Sequence, residues 1–474
     1  MVPSRVICSL TRHRNSEGLT RKVGGVKTLI RSYCVGEGKK DALMKNDLVT
    51  IRSCSELRNA ISPEFVASPH SKLYGIIWNT PLQNVYVVKK PWNKDTTLAT
   101  YEFIRHLHAH YPAVNVIVNE NTAEEVIEQS DSNAEIQRRE NERTETDDSK
   151  RSESVIYTGS VEEIVKKTDL IVTIGGDGTI LRAVSAFSNT SVPPIVSFAM
   201  GTLGFLLPFN FTKHAETFKS VYDSTAKALH RSRLECHVVR GSGASPELSE
   251  KAKEYRANRF QSPTQATMQH AINDIFLHRG SQPNLISLDI FIDNTFLTTT
   301  TGDGLTFATP TGSTAYSLSA GGSIAHPLVR CIIMTPVCPR SLSFRPLILP
   351  ATSHIMIKLS ENNRNTSIKL SIDGIPQQDV MPGDSIHIVS DSGTIYIPGK
   401  HDPPPFLASR NDFDNVINPS TIHESCTVST SSANPSNRLR RSGIWCVASG
   451  ENGWFKDINE LLCFNSTFAA KNRS

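Results

Sequence analysis

Apolar positions fall into two regimes along the chain. Val85-Tyr86-Val87-Val88, Val114 to Val118, Leu170 to Ile174 and Pro194 to Phe198 are short, nearly uninterrupted runs rich in β-branched residues. Such runs are the pattern of parallel strands buried on both faces. Between them, apolar residues recur at helical spacing. Thr97, Ala99, Phe103, Ile104 and Leu107 share one side of a helix over 96–109. Ser160 to Lys167 has a serine positioned as N-cap and Glu162 and Glu163 in the first turn. Ile180, Leu181, Val184 and Phe187 mark a third helix, and Ala215, Phe218, Val221 and Tyr222 a fourth, over 214–228. Strand, helix, strand at these spacings predicts parallel βαβ units over residues 72–230, an α/β domain. Folding is expected to begin near Leu73, with 41–71 as a linker. The polar stretch 120–153 reads as a solvated, partly disordered insertion.

The second half changes period. Ile286, Leu288, Ile290 and Ile292 alternate with Ser287, Asp289, Phe291 and Asp293 up to the turn signal Asp293-Asn294. Ile355 to Leu359, Ile368 to Ile372 and Ser385 to Ile397 continue as short strands, so residues 231–400 predict an antiparallel, β-rich domain. Arg231 and Arg233 open it; they read as surface or edge-strand charges, with a phosphate contact as the alternative.

Composition narrows the class of protein. A net charge of +4 over 474 residues is too slight to argue for nucleic acid or a membrane surface. No apolar stretch approaches the length of a membrane span. The nine cysteines are scattered and form no C-x-x-C, which suits a reducing compartment better than a disulfide framework or zinc site. Residues 1–40 carry seven basic residues from Arg5 to Arg31, with Glu17 the sole acid before Glu37. That is the composition of a mitochondrial transit peptide, with a basic disordered tail as the alternative.

Three constellations carry chemistry. After the strand at Leu170, Gly175, Gly176 and Gly178 let the backbone approach a phosphate, and Thr179 can cap the following helix or donate its hydroxyl. Asp177 inside this turn would repel an anion unless it holds a metal or accepts a proton from a nucleophile; a plain Asp-Gly turn is the alternative. Asn273-Asp274 sets an amide and a carboxylate together at a strand start, fit for a ribose or adenine edge, or for an Asx turn. Asp303 and then Thr309 to Gly322 gather small hydroxyls, glycines and one tyrosine, suited to a wall around a flat, polar ligand.

Together these motifs resemble the NAD kinase family. Its Gly-Gly-Asp-Gly-Thr turn stands at Gly175 to Thr179 and its Asn-Glu/Asp pair at Asn273-Asp274. Its long Thr/Ser/Tyr wall stands at Thr309 to Gly322 and its later Asp-Gly at Asp373-Gly374. The likeness spans about 72–465 and is strongest to the fungal mitochondrial NADH kinases. It implies a two-domain fold: a Rossmann-like α/β nucleotide-binding domain and a β-sandwich-like domain that binds NAD(H) and builds a homo-oligomer. Residues 401–442 would be a tether, and 443–474 would pack back on the first domain. ATP with Mg²⁺ would lie on Gly175, Gly176, Gly178 and Thr179. Asp177 would orient the adenosine ribose 2′-hydroxyl of NADH or NAD⁺ and accept its proton. Asn273, Asp274, Asp303, Thr311, Ser313, Thr314, Ala315, Tyr316 and Ser319 would form the NAD(H) site. A pyridine-nucleotide sensor and a lipid kinase with the same glycine turn are the competing readings. The sensor would tolerate loss of Asp177; the lipid kinase would lack the long wall.

Overall fold

A computed structural model describes residues 49–141, 154–188, 190–201, 204–240, 270–361, 363–391 and 443–462. The transit-peptide reading of 1–40, the start of the linker at 41–48, the end of the insertion at 142–153 and the tether at 401–442 lie outside the described residues.

The first domain is built on one sheet. Its strands are β1 (Val49–Ser53), β2 (Glu64–Ala67), β3 (Tyr74–Ile77), β4 (Asn84–Lys89), β5 (Asn115–Ile117) and β6 (Ser154–Thr158). They continue with β7 (Leu170–Gly175), β8 (Ile195–Ala199), β9 (Phe209–Asn210) and β10 (Lys227–Arg231). The helices are α1 (Lys94–His110), α2 (Glu120–Asn141), α3 (Val161–Lys167), α4 (Asp177–Ser185) and α5 (His214–Tyr222).

The β-branched runs are uninterrupted because both faces are covered. In β4, Val85 and Val87 join the core under α1, α2 and α5, while Tyr86 and Val88 join the core under α3 and α4. Strands β1, β6, β5, β4, β7 and β8 lie side by side and parallel. From β4 the chain winds outward through β5 and β6, then returns to place β7 on the other side of β4. The switch point of the sheet therefore lies between β4 and β7, where open α/β sheets bind ligands.

The second domain holds twelve strands: β11 (Leu234–Val239), β12 (His270–Ala271), β13 (Asp274–His278), β14 (Ile286–Ile292), β15 (Thr295–Gly302) and β16 (Gly304–Ala308). These are followed by β17 (Cys331–Val337), β18 (Leu347–Pro350), β19 (Ile355–Leu359), β20 (Lys369–Ile372), β21 (Ile375–Pro376) and β22 (Ser385–Ser390). They form two six-stranded antiparallel sheets, packed through Leu234, Ile275, Leu288, Phe307, Met334 and Ile388. The expected two-domain class holds. The β14–β15 hairpin turns at Asp293 and Asn294, both with positive φ. A helical turn α6 (Tyr316–Ser319) follows β16, and the chain ends with β23 (Ile444–Val447) and α7 (Gly453–Leu462). Strand β23 inserts between β8 and β10 of the first sheet.

Three expectations need correction. Residues 49–67 belong to the first sheet, so the fold begins well before Leu73. Within 120–153, residues 120–141 form α2, and Ala123 and Val126 of its first turns reach the core. The helix expected over 214–228 stops at Tyr222. Ser224 turns the chain with φ 59°, and Lys227 onward pairs as β10.

Asp169 explains how a polar lead-in is held. It is fully buried and accepts from Arg58 Nη2 at 2.6 Å and from the amides of Ile61 (2.8 Å), Gln83 (3.2 Å) and Asn84 (2.9 Å). Asn84 passes the tie on, donating to the carbonyls of Arg58 and Lys167. Replacing Asp169 with alanine strands these donors. Asp169→Ala is expected to lower stability by about 3 kcal/mol in denaturant titration. A loss under about 1 kcal/mol would show that the lead-in is held by packing alone.

Candidate active site

The turn after β7 sits at the switch point. The Lys90 amide donates to the Ile174 carbonyl at 3.0 Å, tying the end of β4 to it. A Cβ at Gly175 would overlap Thr179 Oγ1 and come within 3.0 Å of Lys90 Cβ, so glycine is needed for close packing. Thr179 is buried and its hydroxyl accepts the Gly176 amide at 3.3 Å, capping α4. Gly176 and Gly178 face open space, and the first amides of a helix lack intrahelical partners. A phosphate fits there.

Asp177 is half-buried, and its Oδ1 is shielded from solvent without a hydrogen-bond partner. Burial pushes its carboxyl above the usual range, opposed by the Leu206 amide bonded to it and by the charge of Arg231. Arg231 is buried, contrary to the surface reading, as is Arg233. Arg231 Nη2 donates to the Phe205 carbonyl at 2.9 Å and Nη1 to Thr311 Oγ1 at 3.1 Å. The Phe205 carbonyl and Leu206 amide are two ends of one peptide unit. The guanidinium thus polarises the same peptide whose N–H holds Asp177. Arg233 makes a buried ion pair with Asp391 at 3.1 Å.

Asn273 and Asp274 are positioned by Asp373. Its carboxylate accepts the amides of Ile272 (2.8 Å), Asn273 (2.7 Å) and Asp274 (3.2 Å). Asp373 and Gly374 both have positive φ in the tight turn between β20 and β21. Burial first, then the charge of Asp373, pushes the Asp274 carboxyl up to about 7. Near neutral pH it can therefore donate as well as accept. Asp373 is also raised, by burial, against the pull of the three amides and Arg233.

The wall packs directly on this pair. A Cβ at Gly312 would overlap the Asn273 backbone, and the Thr309 amide donates to the Asn273 carbonyl at 2.9 Å. Thr311 and Ser313 are buried and turned inward. Thr311 receives Arg231, while Ser313 donates to the Pro310 carbonyl at 2.6 Å and accepts the Ala325 amide at 3.0 Å. Their hydroxyls brace the wall from behind. Thr314 and Ala315 are partly exposed, and Tyr316 and Ser319 exposed. Tyr316 lies 4.8 Å from Phe276, centroid to centroid, and within electrostatic reach of Asp274 and Asp303. Asp303 accepts Arg279 Nε at 2.7 Å.

Comparison with known proteins decides between the readings. Residues 76–226 match the ATP-NAD kinase N-terminal domain and residues 272–397 the ATP-NAD kinase C-terminal domain. The mitochondrial NADH kinase of Saccharomyces cerevisiae is 49% identical over 429 residues, covering 90% of this chain and 91% of that one. This chain belongs to the NAD kinase family. The mitochondrial NADH kinase of Schizosaccharomyces pombe is 35% identical over 69% of this chain and 74% of its own length. The crystal structure of yeast NADH kinase complexed with NADH superposes with a TM-score of 0.66 at 45% identity, covering 89% of this chain and 99% of that chain.

In this NAD kinase, the sequence marks Asp373 only as a family motif and Arg231 only as a surface charge or phosphate contact, and it leaves Phe276 out. Phe276 had a signal: strand parity puts it on the same face of β13 as Asp274 and His278. His278 stacks on it at 4.6 Å. The chain end also closes on the site region, with Trp454 of α7 edge-on to His326 at 4.7 Å. Arg231→Met is expected to lower kcat on the order of 10²-fold through misplacement of Asp177. It should also move the acid limb of the kcat–pH profile to higher pH, because Asp177 loses the cation that favours its ionised form. An acid limb that stays in place while kcat falls would show that Arg231 shapes the loop without tuning Asp177.

Proposed function

We propose that this kinase transfers the γ-phosphoryl of ATP to the 2′-hydroxyl of the NAD(H) adenosine ribose, with Asp177 as the base. The observation that carries the assignment is the buried, unpartnered Oδ1 of Asp177, which lies against Gly204 between two glycines, Gly176 and Gly178, that face open space. It is an acceptor in want of a donor, beside a cradle for the electrophile. Phosphoryl transfer passes through a loose transition state, so the hydroxyl need not be ionised beforehand. A carboxylate raised by burial takes the proton late. Asn273, Asp274, Thr314, Ala315, Tyr316 and Ser319 would hold the adenosine, with Phe276 beneath Tyr316 as support. Asp303, fixed by Arg279, would stand toward the nicotinamide side.

The donor set also fits Mg²⁺ arriving with ATP. The described residues gather no group of three metal-ligating side chains, and a cation carried on phosphate oxygens needs one or two protein carboxylates, for which Asp177 is placed. When bound, the cation neutralises charge on the transferring phosphoryl group.

Purified full chain with ATP and Mg²⁺ should convert NADH, NAD⁺ or both to the 2′-phosphorylated product. Asp177→Asn is expected to cut kcat about 10³-fold while NADH still binds. Binding without turnover in the wild-type chain would replace the kinase reading with a sensor. We also infer a mitochondrial location, supported by the basic, acid-poor residues 1–40 and by the mitochondrial relatives. Residues 1–40 fused to a reporter should carry it into isolated mitochondria; a reporter left outside would refute this.

A further inference from the structure

The loop after β4 forms the second bank of the switch-point crevice and holds a side chain that the phosphate turn and the wall leave unused. Trp92 is 95% exposed, and its backbone has φ 51°. A bulky residue in the left-handed region is a true outlier. Local packing does not reward it, since almost none of the indole is covered.

The loop around it is rigid. The Lys90 amide is bonded to Ile174, and the Lys90 carbonyl accepts Thr96 Oγ1 at 2.9 Å. Asn93 caps α1, accepting the Thr96 amide at 2.9 Å. Behind it, Lys89 is buried in an ion pair with Glu125 of α2. Lys90 and Lys94, on either side of the tryptophan, are exposed. An aromatic face flanked by two cations, next to a phosphate turn, is the chemistry of a nucleoside triphosphate site.

We propose that Trp92 is the stacking platform for the base of the phosphoryl donor ATP. This rests on the kinase reading and adds the place of its donor base. The triphosphate runs from the turn at Gly175 to Thr179 toward the β4 loop, and the base lies on the indole. On this reading the left-handed backbone at residue 92 is kept because the ring must stay uncovered for the base.

The test compares Trp92→Ala, Trp92→Phe and Trp92→Gly with wild type in the full chain. Trp92→Ala should raise KM for ATP about tenfold, and Trp92→Phe no more than about threefold, because phenyl still stacks. KM for NADH should not move. Tripolyphosphate, which has no base, should inhibit wild type and Trp92→Ala equally well. Trp92→Gly should weaken ATP like alanine yet raise the unfolding midpoint, since glycine accepts positive φ without strain. An unchanged KM for ATP in Trp92→Ala would overturn the platform, and so would a parallel loss of tripolyphosphate inhibition. A glycine variant less stable than wild type would overturn the argument from strain. Should the wild-type chain form no product, the kinase reading fails on its own. ATP titration then decides the platform, by quenching of indole emission in wild type that is absent in Trp92→Phe.

Discussion

A buried guanidinium ties the loop beside Asp177 to the wall of the second domain. Arg231 makes no ion pair within 4.0 Å among the described residues, and its Nε has no hydrogen-bond partner. Taking such a charge out of water is costly unless something nearby offsets it. What Arg231 receives in return is a carbonyl, a threonine hydroxyl and, across one peptide unit, the field of Asp177. It is poor value as a stabilising contact. As a positioning device it is efficient, because one residue fixes the loop behind Asp177, biases the charge of that carboxyl and contacts the wall of the other domain.

The second domain uses the inverse arrangement. There a buried anion, Asp373, orders three successive amides and so aims Asn273 and Asp274. Its charge falls on Asp274 as well and raises that carboxyl beyond what burial does. The consequence is chemical. A carboxyl raised toward neutrality can engage a hydroxyl in either direction, which a fully ionised aspartate cannot. Glycine at 312 follows from the same crowding, since the wall must press its backbone against Asn273.

What the sequence made legible was local. The β-branched runs, the Asp293-Asn294 hairpin and the Ser160 N-cap are written in neighbouring residues, and the structure has all three. The glycine turn and the wall were legible for the same reason. Misreadings came where the deciding partner is remote. Residues 49–67 look like a linker because Asp169, which ties down Arg58 and Ile61, lies more than 100 residues away. Helix α2 shows two apolar core contacts, Ala123 and Val126, too few to outweigh its charges. Residues 223–228 continue a helical pattern until β23 claims the strand that follows. Arg231 looked like a surface charge because its partners are a carbonyl and a hydroxyl from two other loops.

That last pairing bears on how the site is assembled. Strand β10, which carries Arg231, is joined to β8 only through β23, formed after the whole second domain. Ile444 stands opposite Arg231 in the ladder, and Trp445 stacks on Phe65 at 4.0 Å. Alternate residues of β23 feed both cores of the first domain. Until the chain end is in place, the sheet is split between the half that bears Asp177 and the half that bears Arg231. The first domain is therefore not a self-contained nucleotide-binding unit, despite its continuous family match. Arg231, which links the loop beside Asp177 to the wall, stands on the strand that β23 joins to the rest of the sheet.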